Sequence, residues 1–313
     1  MPCSAPAERS NTIQVFVTGA SGFIGSAVVR ELIGAGHEVT GLARSDAAAA
    51  AVSQAGAVVV RGELADTGTL RRCADAADGV VHTAFIHDFS NFEASVQADK
   101  RAIEAMSEAL AGSGRPLVVA GGLALVAPGR VVTENDVRDP ANTFPRVSEE
   151  TAMAAAECGV RASVMRLPPS VHGKGDHGFV PRLIALARDS GAAVYAGDGR
   201  NRWSAVHRLD AARLFRLALE AAPAGTKIHA VGDEGVPMRE IAELIGRHLG
   251  VPAVGKPIDE AQRDLGWIGT FAALDAPASG ELTRQRFGWQ PNQPGLLEDL
   301  GEGHYFAGLA APA

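Results

Sequence analysis

Ile13-Gln-Val-Phe-Val-Thr-Gly-Ala-Ser-Gly-Phe-Ile-Gly25 is an apolar run that breaks into three glycines, Gly19, Gly22 and Gly25. The pattern predicts a strand, a tight turn and a helix. Gly19 can take the positive φ that such a turn demands, Gly22 has no side chain to hold an anion off the backbone, and Gly25 lets the helix lie against the strand. Val15 and Val17 precede the turn, while Ile24, Ala27, Val28, Leu32 and Ile33 recur at helical spacing after it. Gly36 closes the helix. A second strand follows at 38–43, so the glycines belong to a βαβ unit whose helix start offers free N–H groups to a pyrophosphate. Gly19, Ser21, Gly22, Phe23, Ile24 and Gly25 are therefore the expected phosphate contacts of a bound dinucleotide.

After the second strand the chain reads Ala43-Arg44-Ser45, where an NAD-binding fold usually carries an acidic residue for the ribose 2′-hydroxyl. A guanidinium at Arg44 can instead pair with a 2′-phosphate, with Ser45 beside it, so NADP(H) is the expected cofactor rather than NAD(H). Strand and helix then alternate. A helix over 46–54, a strand over 57–60, a helix over 70–77 and a strand over 79–84 are followed by a long helix over 92–110. Strands at 116–120 and 161–167 flank a helix that opens on Ser148, Glu149 and Glu150 and stops at Gly159. This alternation predicts an α/β protein with a doubly wound parallel sheet.

Composition shifts after residue 168. Pro168-Pro-Ser-Val-His-Gly-Lys-Gly-Asp-His-Gly178 is rich in glycine and polar groups and leads into an amphipathic helix over 179–190. Asp210 is expected to cap a helix, and 227–231 to give a last sheet strand. From Gly232 onward short helices are expected at 237–249, 279–287 and from 295. The dinucleotide domain is accordingly placed at 1–170, completed by about 205–232. A small, mostly helical substrate lobe takes 171–204 and 233–313.

The 313 residues carry 29 Lys and Arg against 36 Asp and Glu, a formal charge of -7, the wrong sign for nucleic acid or an anionic membrane. Cys3, Cys73 and Cys158 show no metal-ligand spacing, and no metal is expected. Without an apolar leader in Met1–Ser10 or a run of ~20 apolar residues, a soluble, cytoplasmic protein is the expectation.

With these residues in view, the chain resembles the extended short-chain dehydrogenase/reductase family, the relatives of nucleotide-sugar epimerases. Thr18-Gly-Ala-Ser-Gly-Phe-Ile-Gly25 resembles its phosphate loop, Gly62-Glu-Leu-Ala-Asp66 its adenine loop, and His82-Thr-Ala84 the segment after its fourth strand. Arg166-Leu-Pro-Pro-Ser-Val-His-Gly173 resembles the segment over the nicotinamide, and Val206-His-Arg-Leu-Asp210 the motif before the returning helix. The resemblance implies a Rossmann fold of about seven strands and a split C-terminal lobe. It further implies a homodimer built on the helices over 92–110 and 148–158. Glu63, Leu64, Thr83, Ala84, Phe85, Pro169, Ser170 and Val171 join the expected cofactor contacts.

The chain departs from this family at the chemistry. Members usually carry a Tyr-x-x-x-Lys pair that exchanges a proton with the substrate carbonyl. Here the only tyrosines, Tyr195 and Tyr305, are followed four positions later by Gly199 and Leu309, and the lysines are Lys100, Lys174, Lys227 and Lys256. The corresponding stretch reads Phe144-Pro-Arg-Val-Ser-Glu149, and Gly121-Gly122 replaces the hydroxyl after the fifth strand. Three residues can stand in as proton donor: His87 in the loop past the fourth strand, Tyr195 from the small lobe, and His172 beside the nicotinamide segment. His207 is expected to satisfy a buried hydrogen bond instead. Phe85, Phe89, Phe92, Trp203 and Trp267 point to an apolar or aromatic small-molecule substrate. Two functions of different class remain: an NADPH-dependent reductase of a ketone or related C=N or C=C bond, and an NADP(H)-binding sensor without turnover. A nucleotide-sugar epimerase or dehydratase needs the missing tyrosine and ranks last.

Overall fold

A computed structural model describes residues 12–88, 91–124, 126–138 and 144–307. In chain order the strands of the nucleotide-binding half begin with β1 (Gln14–Thr18), β2 (Glu38–Ala43), β3 (Val58–Arg61), β4 (Gly79–His82), β5 (Pro116–Gly122) and β6 (Arg161–Leu167). They are followed by β7 (Ser170–His172), β8 (Ala193–Ala196), β9 (Arg202–His207), β10 (Thr226–His229), β11 (Asp233–Pro237) and β12 (Ala253–Lys256). Helices α1 (Phe23–Gly34), α2 (Asp46–Gln54), α3 (Thr67–Ala76), α4 (Phe92–Leu110), α5 (Ser148–Glu157), α6 (Phe179–Ser190) and α7 (Arg208–Ala221) connect them. Beyond these lie α8 (Met238–Leu249), α9 (Ile258–Leu265), α10 (Gly269–Ala272), α11 (Glu281–Phe287) and α12 (Leu296–Gly301).

The main sheet has the order β10-β6-β5-β4-β1-β2-β3, with every neighbouring pair parallel. Its central strands read as unbroken apolar runs because both faces are covered. Val15 and Val17 of β1, Val81 of β4 and Val118 of β5 pack under α1, α2 and α7. The intervening Phe16, Val80, Leu117 and Val119 pack under α3, α4 and α5. Strand order reverses between β1 and β4, so the crevice outside their carboxyl ends is the ligand site that an open α/β sheet provides.

The C-terminal lobe is mostly helical, as expected, and in addition carries two small sheets that were not foreseen, β11-β9-β7 and β12-β8. Their strands are three to six residues long. Segments this short show too few alternations to separate them from loops. The helical expectation at 237–249 is met by α8, with Ile241 and Ile245 buried.

Asp210 has a different task from the helix cap expected of it. His207 is the residue that caps α7, its Nδ1 accepting from the Leu209 N–H at 3.3 Å. Asp210, one turn in and 2% exposed, accepts from the backbone N–H groups of Asn292 and Gln293 at 3.0–3.1 Å. The Trp289 indole donates to the Asp210 carbonyl at 3.1 Å. One carboxylate thus fastens the C-terminal segment to the main sheet's helical layer. Asp210→Ala strands these donors and is expected to lower stability by about 2–3 kcal/mol, since hydrogen bonds to a charged group are the stronger class. Denaturant unfolding monitored by tryptophan fluorescence reads this directly, and an unchanged midpoint would contradict it.

Candidate functional site

The glycine turn is built as its spacing requires. Gly19 sits at φ +70, and a Cβ there would lie 2.7 Å from the Ala84 nitrogen. A Cβ on Gly25 would lie 2.0 Å from the Gly19 carbonyl oxygen, so this glycine serves the packing of turn against helix. A Cβ on Gly22 would approach only the Gly19 oxygen, at 3.1 Å. Helix α1 begins immediately afterwards, with no side-chain cap and no acidic residue in its first turn. Its first N–H groups are thereby left for an anion. Thr83 has a structural duty here: its hydroxyl donates to the Thr18 carbonyl at 2.8 Å and lies beneath both Gly19 and Gly25.

On the β2 and β3 side, Arg44 is exposed and pairs with no carboxylate among the described residues, whereas Arg61 pairs with Asp46. Ser45 caps α2, accepting from the Ala48 N–H at 3.2 Å. Glu63 is exposed and Leu64 is buried in the core beneath it. No carboxylate occupies the end of β2. The uncapped helix and the open cradle at Gly22 together fit the phosphates of a bound dinucleotide, and the Arg44 guanidinium stands exposed at the end of β2.

On the β4 and β5 side the crevice wall is aromatic. Phe85 packs against Phe92 at 5.8 Å between ring centroids, and Phe92 against Phe144 at 5.4 Å. His87 sets its ring edge-on to Phe85 at 5.2 Å. Loss of hydration at that wall, with the positive charges of Arg146 and His177, holds the His87 pKa below its ordinary value. His177 in turn meets Phe23 edge-on at 5.8 Å, and the Arg208 guanidinium lies over the Phe23 ring at 4.9 Å. The loop after β4, the loop after β7 and the start of α1 thus converge on one crevice. Phe89 lies outside the described residues.

Behind this wall runs a buried chain of hydrogen bonds that the sequence did not announce. His82, at the end of β4, bonds Thr18 Oγ1 through Nδ1 at 2.7 Å and Asp99 Oδ1 through Nε2 at 3.0 Å. The Ser148 hydroxyl donates to Asp99 Oδ2 at 2.5 Å and accepts from Arg146 Nε at 3.0 Å. Burial alone would raise the Asp99 pKa, but the His82 and Ser148 bonds and the Arg146 charge outweigh it and hold the carboxyl below its usual range. Asp99 falls on the apolar stripe of α4, between Val96 and Ala102. A carboxylate on a buried helical face was the one signal in the sequence that could have found it.

The segment carrying Arg146 is fixed from behind. Arg138 donates to the carbonyls of Phe144 and Arg146 at 3.0 and 2.8 Å. Arg166, wholly buried in β6, holds Glu149 with two bonds of 2.8 and 2.6 Å. The start of α5 therefore has little freedom.

Of the three candidate donors, only His87 reaches the crevice wall. His172 is wholly buried, its Nδ1 bonded to Asp299 at 2.9 Å and its ring edge-on to His207 at 5.4 Å. Tyr195 lies on β8 against Gly199 and Gly255 inside the lobe. Trp203 is also core, its indole donating to the Phe271 carbonyl at 3.0 Å, while Trp267 is 44% exposed and meets Phe179 at 5.8 Å. Among the contacts expected over the nicotinamide, Pro169 and Val171 are half-buried, and Ser170 is buried with no partner for its hydroxyl among the described residues. The other tyrosine, Tyr305, closes the loop after β7: its hydroxyl donates to Asp176 at 3.1 Å and accepts from the Gly173 N–H at 3.1 Å. Cys73 and Cys158 are unpaired thiols, and no described helix is long and apolar enough to cross a membrane.

Residues 15–232 match the model of the NAD dependent epimerase/dehydratase family. The chain is 47% identical over 291 residues to an uncharacterized protein of Saccharomyces cerevisiae, covering 92% of this chain and 98% of that one. It is 27% identical to the 2-alkyl-3-oxoalkanoate reductase of Stenotrophomonas maltophilia, covering 79% of this chain and 78% of the relative. A dTDP-glucose 4,6-dehydratase from Streptomyces venezuelae, solved with NAD bound, shares the fold with a TM-score of 0.73 at 22% identity, over 94% of this chain and 96% of that one. The parallel sheet, the glycine cradle at its switch point and the matched residues make this chain a member of the NAD-dependent epimerase/dehydratase family, an extended short-chain dehydrogenase/reductase.

Proposed function

We propose that the chain reduces an apolar or aromatic ketone, or a related C=N or C=C bond, with NADPH. The observation that carries this is the aromatic wall of Phe85, Phe92 and Phe144, with His87 at its rim, set on the same crevice as the glycine cradle. A bound NADPH would supply the hydride. Gly22 and the first turn of α1 hold its phosphates, Arg44 pairs with the 2′-phosphate, and the wall orients the substrate and excludes water. His87 supplies the proton to the developing alkoxide. The reductase among the relatives supports this reaction class, although its name describes that relative alone. A homodimer through α4 and α5 is part of the proposal.

A second reading is favoured by one observation: Phe144 and Ser148 stand four residues apart where the family's tyrosine and lysine would be. A chain so altered can bind the cofactor without turning over. NADPH oxidation measured against aryl ketones, imines and activated alkenes decides between the two. Turnover with any of them supports the reductase, and tight NADPH binding with none supports the sensor.

Arg44 gives the cofactor preference its own test. Arg44→Ala is expected to weaken NADPH binding about ten- to a hundredfold, since a charge-assisted pair contributes about 1.5–3 kcal/mol. NADH binding should stay within a factor of two or so, because it lacks the 2′-phosphate. Fluorescence titration of both cofactors reads the difference, and equal losses would remove the assignment.

A further inference from the structure

We propose that Arg146 is a catalytic residue that stabilises the negative charge developing on the substrate oxygen, taking over the electrophilic role left vacant by the missing tyrosine. The inference rests on the ketone reading above. Arg146 reaches the crevice between the carboxyl ends of β4 and β5. Its guanidinium lies 4.2 Å over the Phe85 ring, and Nη2 donates to the Ala120 carbonyl of β5 at 3.1 Å. Nε donates to Ser148, which passes the constraint on to Asp99 and His82. The side chain is thus held by a ring face, a strand carbonyl and a buried anion network, with rotational freedom removed in advance.

The space beside it is open. Gly122, two residues beyond the Ala120 carbonyl, is exposed, and a Cβ added there would meet no atom of the described residues within 4 Å. Gly121 instead faces Val164, which a Cβ would approach to 2.8 Å. The end of β5 therefore presents bare backbone where a substrate carbonyl can come up to the guanidinium. A cation kept in such a site is costly unless something offsets it. Asp99 offsets part of that burial, and a developing alkoxide would offset more.

The carbonyl carbon gains a C–H bond from the reduced nicotinamide, which is oxidised as the ketone is reduced. The C=O π pair withdraws onto oxygen, where the Arg146 N–H groups hold it, and the alkoxide then takes a proton from His87 or water. Arginine stays protonated throughout, so its part is charge stabilisation alone.

Arg146→Met keeps an unbranched apolar stem and removes the charge. Turnover of a panel ketone is expected to fall about 10²–10³-fold, the effect of deleting one oxyanion donor, with NADPH affinity within a few fold of wild type. Loss should be steepest for electron-rich aryl ketones, whose oxygen needs most stabilisation, a trend that a merely structural role would not produce. Arg146→Lys keeps the charge and should recover part of the loss even where the methionine variant fails to fold. Methylguanidinium added to Arg146→Ala should restore turnover. An active wild type matched by Arg146→Met, or uniform losses across the ketone series with no methylguanidinium rescue, overturns the role of the arginine. A wild type that oxidises NADPH with no panel member overturns the ketone reading itself.

Discussion

Gly22→Val is expected to abolish binding of NADPH and NADH alike while the protein remains folded. The turn has room for the change on the protein side, because the added Cβ meets only the Gly19 carbonyl oxygen, at 3.1 Å. What it takes away lies on the other side: the branched side chain covers the uncapped N–H groups that open α1. Those donors, aligned with the helix dipole, are the anion site. Gly25→Val should behave in the opposite way, since its Cβ would sit 2.0 Å from the Gly19 oxygen and force the turn apart. Circular dichroism with cofactor titration separates the two. A folded Gly22→Val protein with wild-type affinity would show that the loop only shapes the backbone.

His87→Phe is expected to lower turnover by ~10²–10⁴, the usual contribution of a positioned general acid, with cofactor affinity intact. Phenylalanine keeps the bulk against Phe85 and removes the donor. The pH profile carries independent information. Loss of hydration at the wall and the charges of Arg146 and His177 lower the His87 pKa from its ordinary 6.5, so the imidazolium fraction is reduced at neutral pH. Wild-type turnover should therefore rise as pH falls from neutral toward the lowered pKa, and this limb should vanish in His87→Phe. Were the variant to keep both wild-type turnover and the limb, the proton would come from solvent. Tyr195→Phe is not expected to share the loss, because its ring packs inside the lobe against Gly199 and Gly255.

The cofactor half of this protein could be read at its sequence because its information is local. Three glycines at fixed spacing each answer a backbone constraint within seven residues, and Glu38–Ala43, Asp46–Gln54 and Phe92–Leu110 have the bounds that their patterning predicts. Asp210 shows where local reading stops. Its position at a helix start suggested a cap, yet its partners are the N–H groups of Asn292 and Gln293, some eighty residues away.

The far wall of the crevice was hidden for the same reason. Nothing adjacent in sequence relates Thr18, His82, Asp99 and Ser148, and it is the meeting of β1, β4, α4 and α5 that turns them into one chain of hydrogen bonds ending on Arg146. The sequence by itself determined the βαβ cradle, the parallel sheet and the loss of the tyrosine, because periodicity and backbone permissiveness act over a few residues. Only the tertiary structure decided that His87 stands at the crevice while His172 and Tyr195 do not, and that a guanidinium is fixed beside the exposed glycine that ends β5. Burial and distance between remote side chains are properties of packing, and no spacing along the chain encodes them.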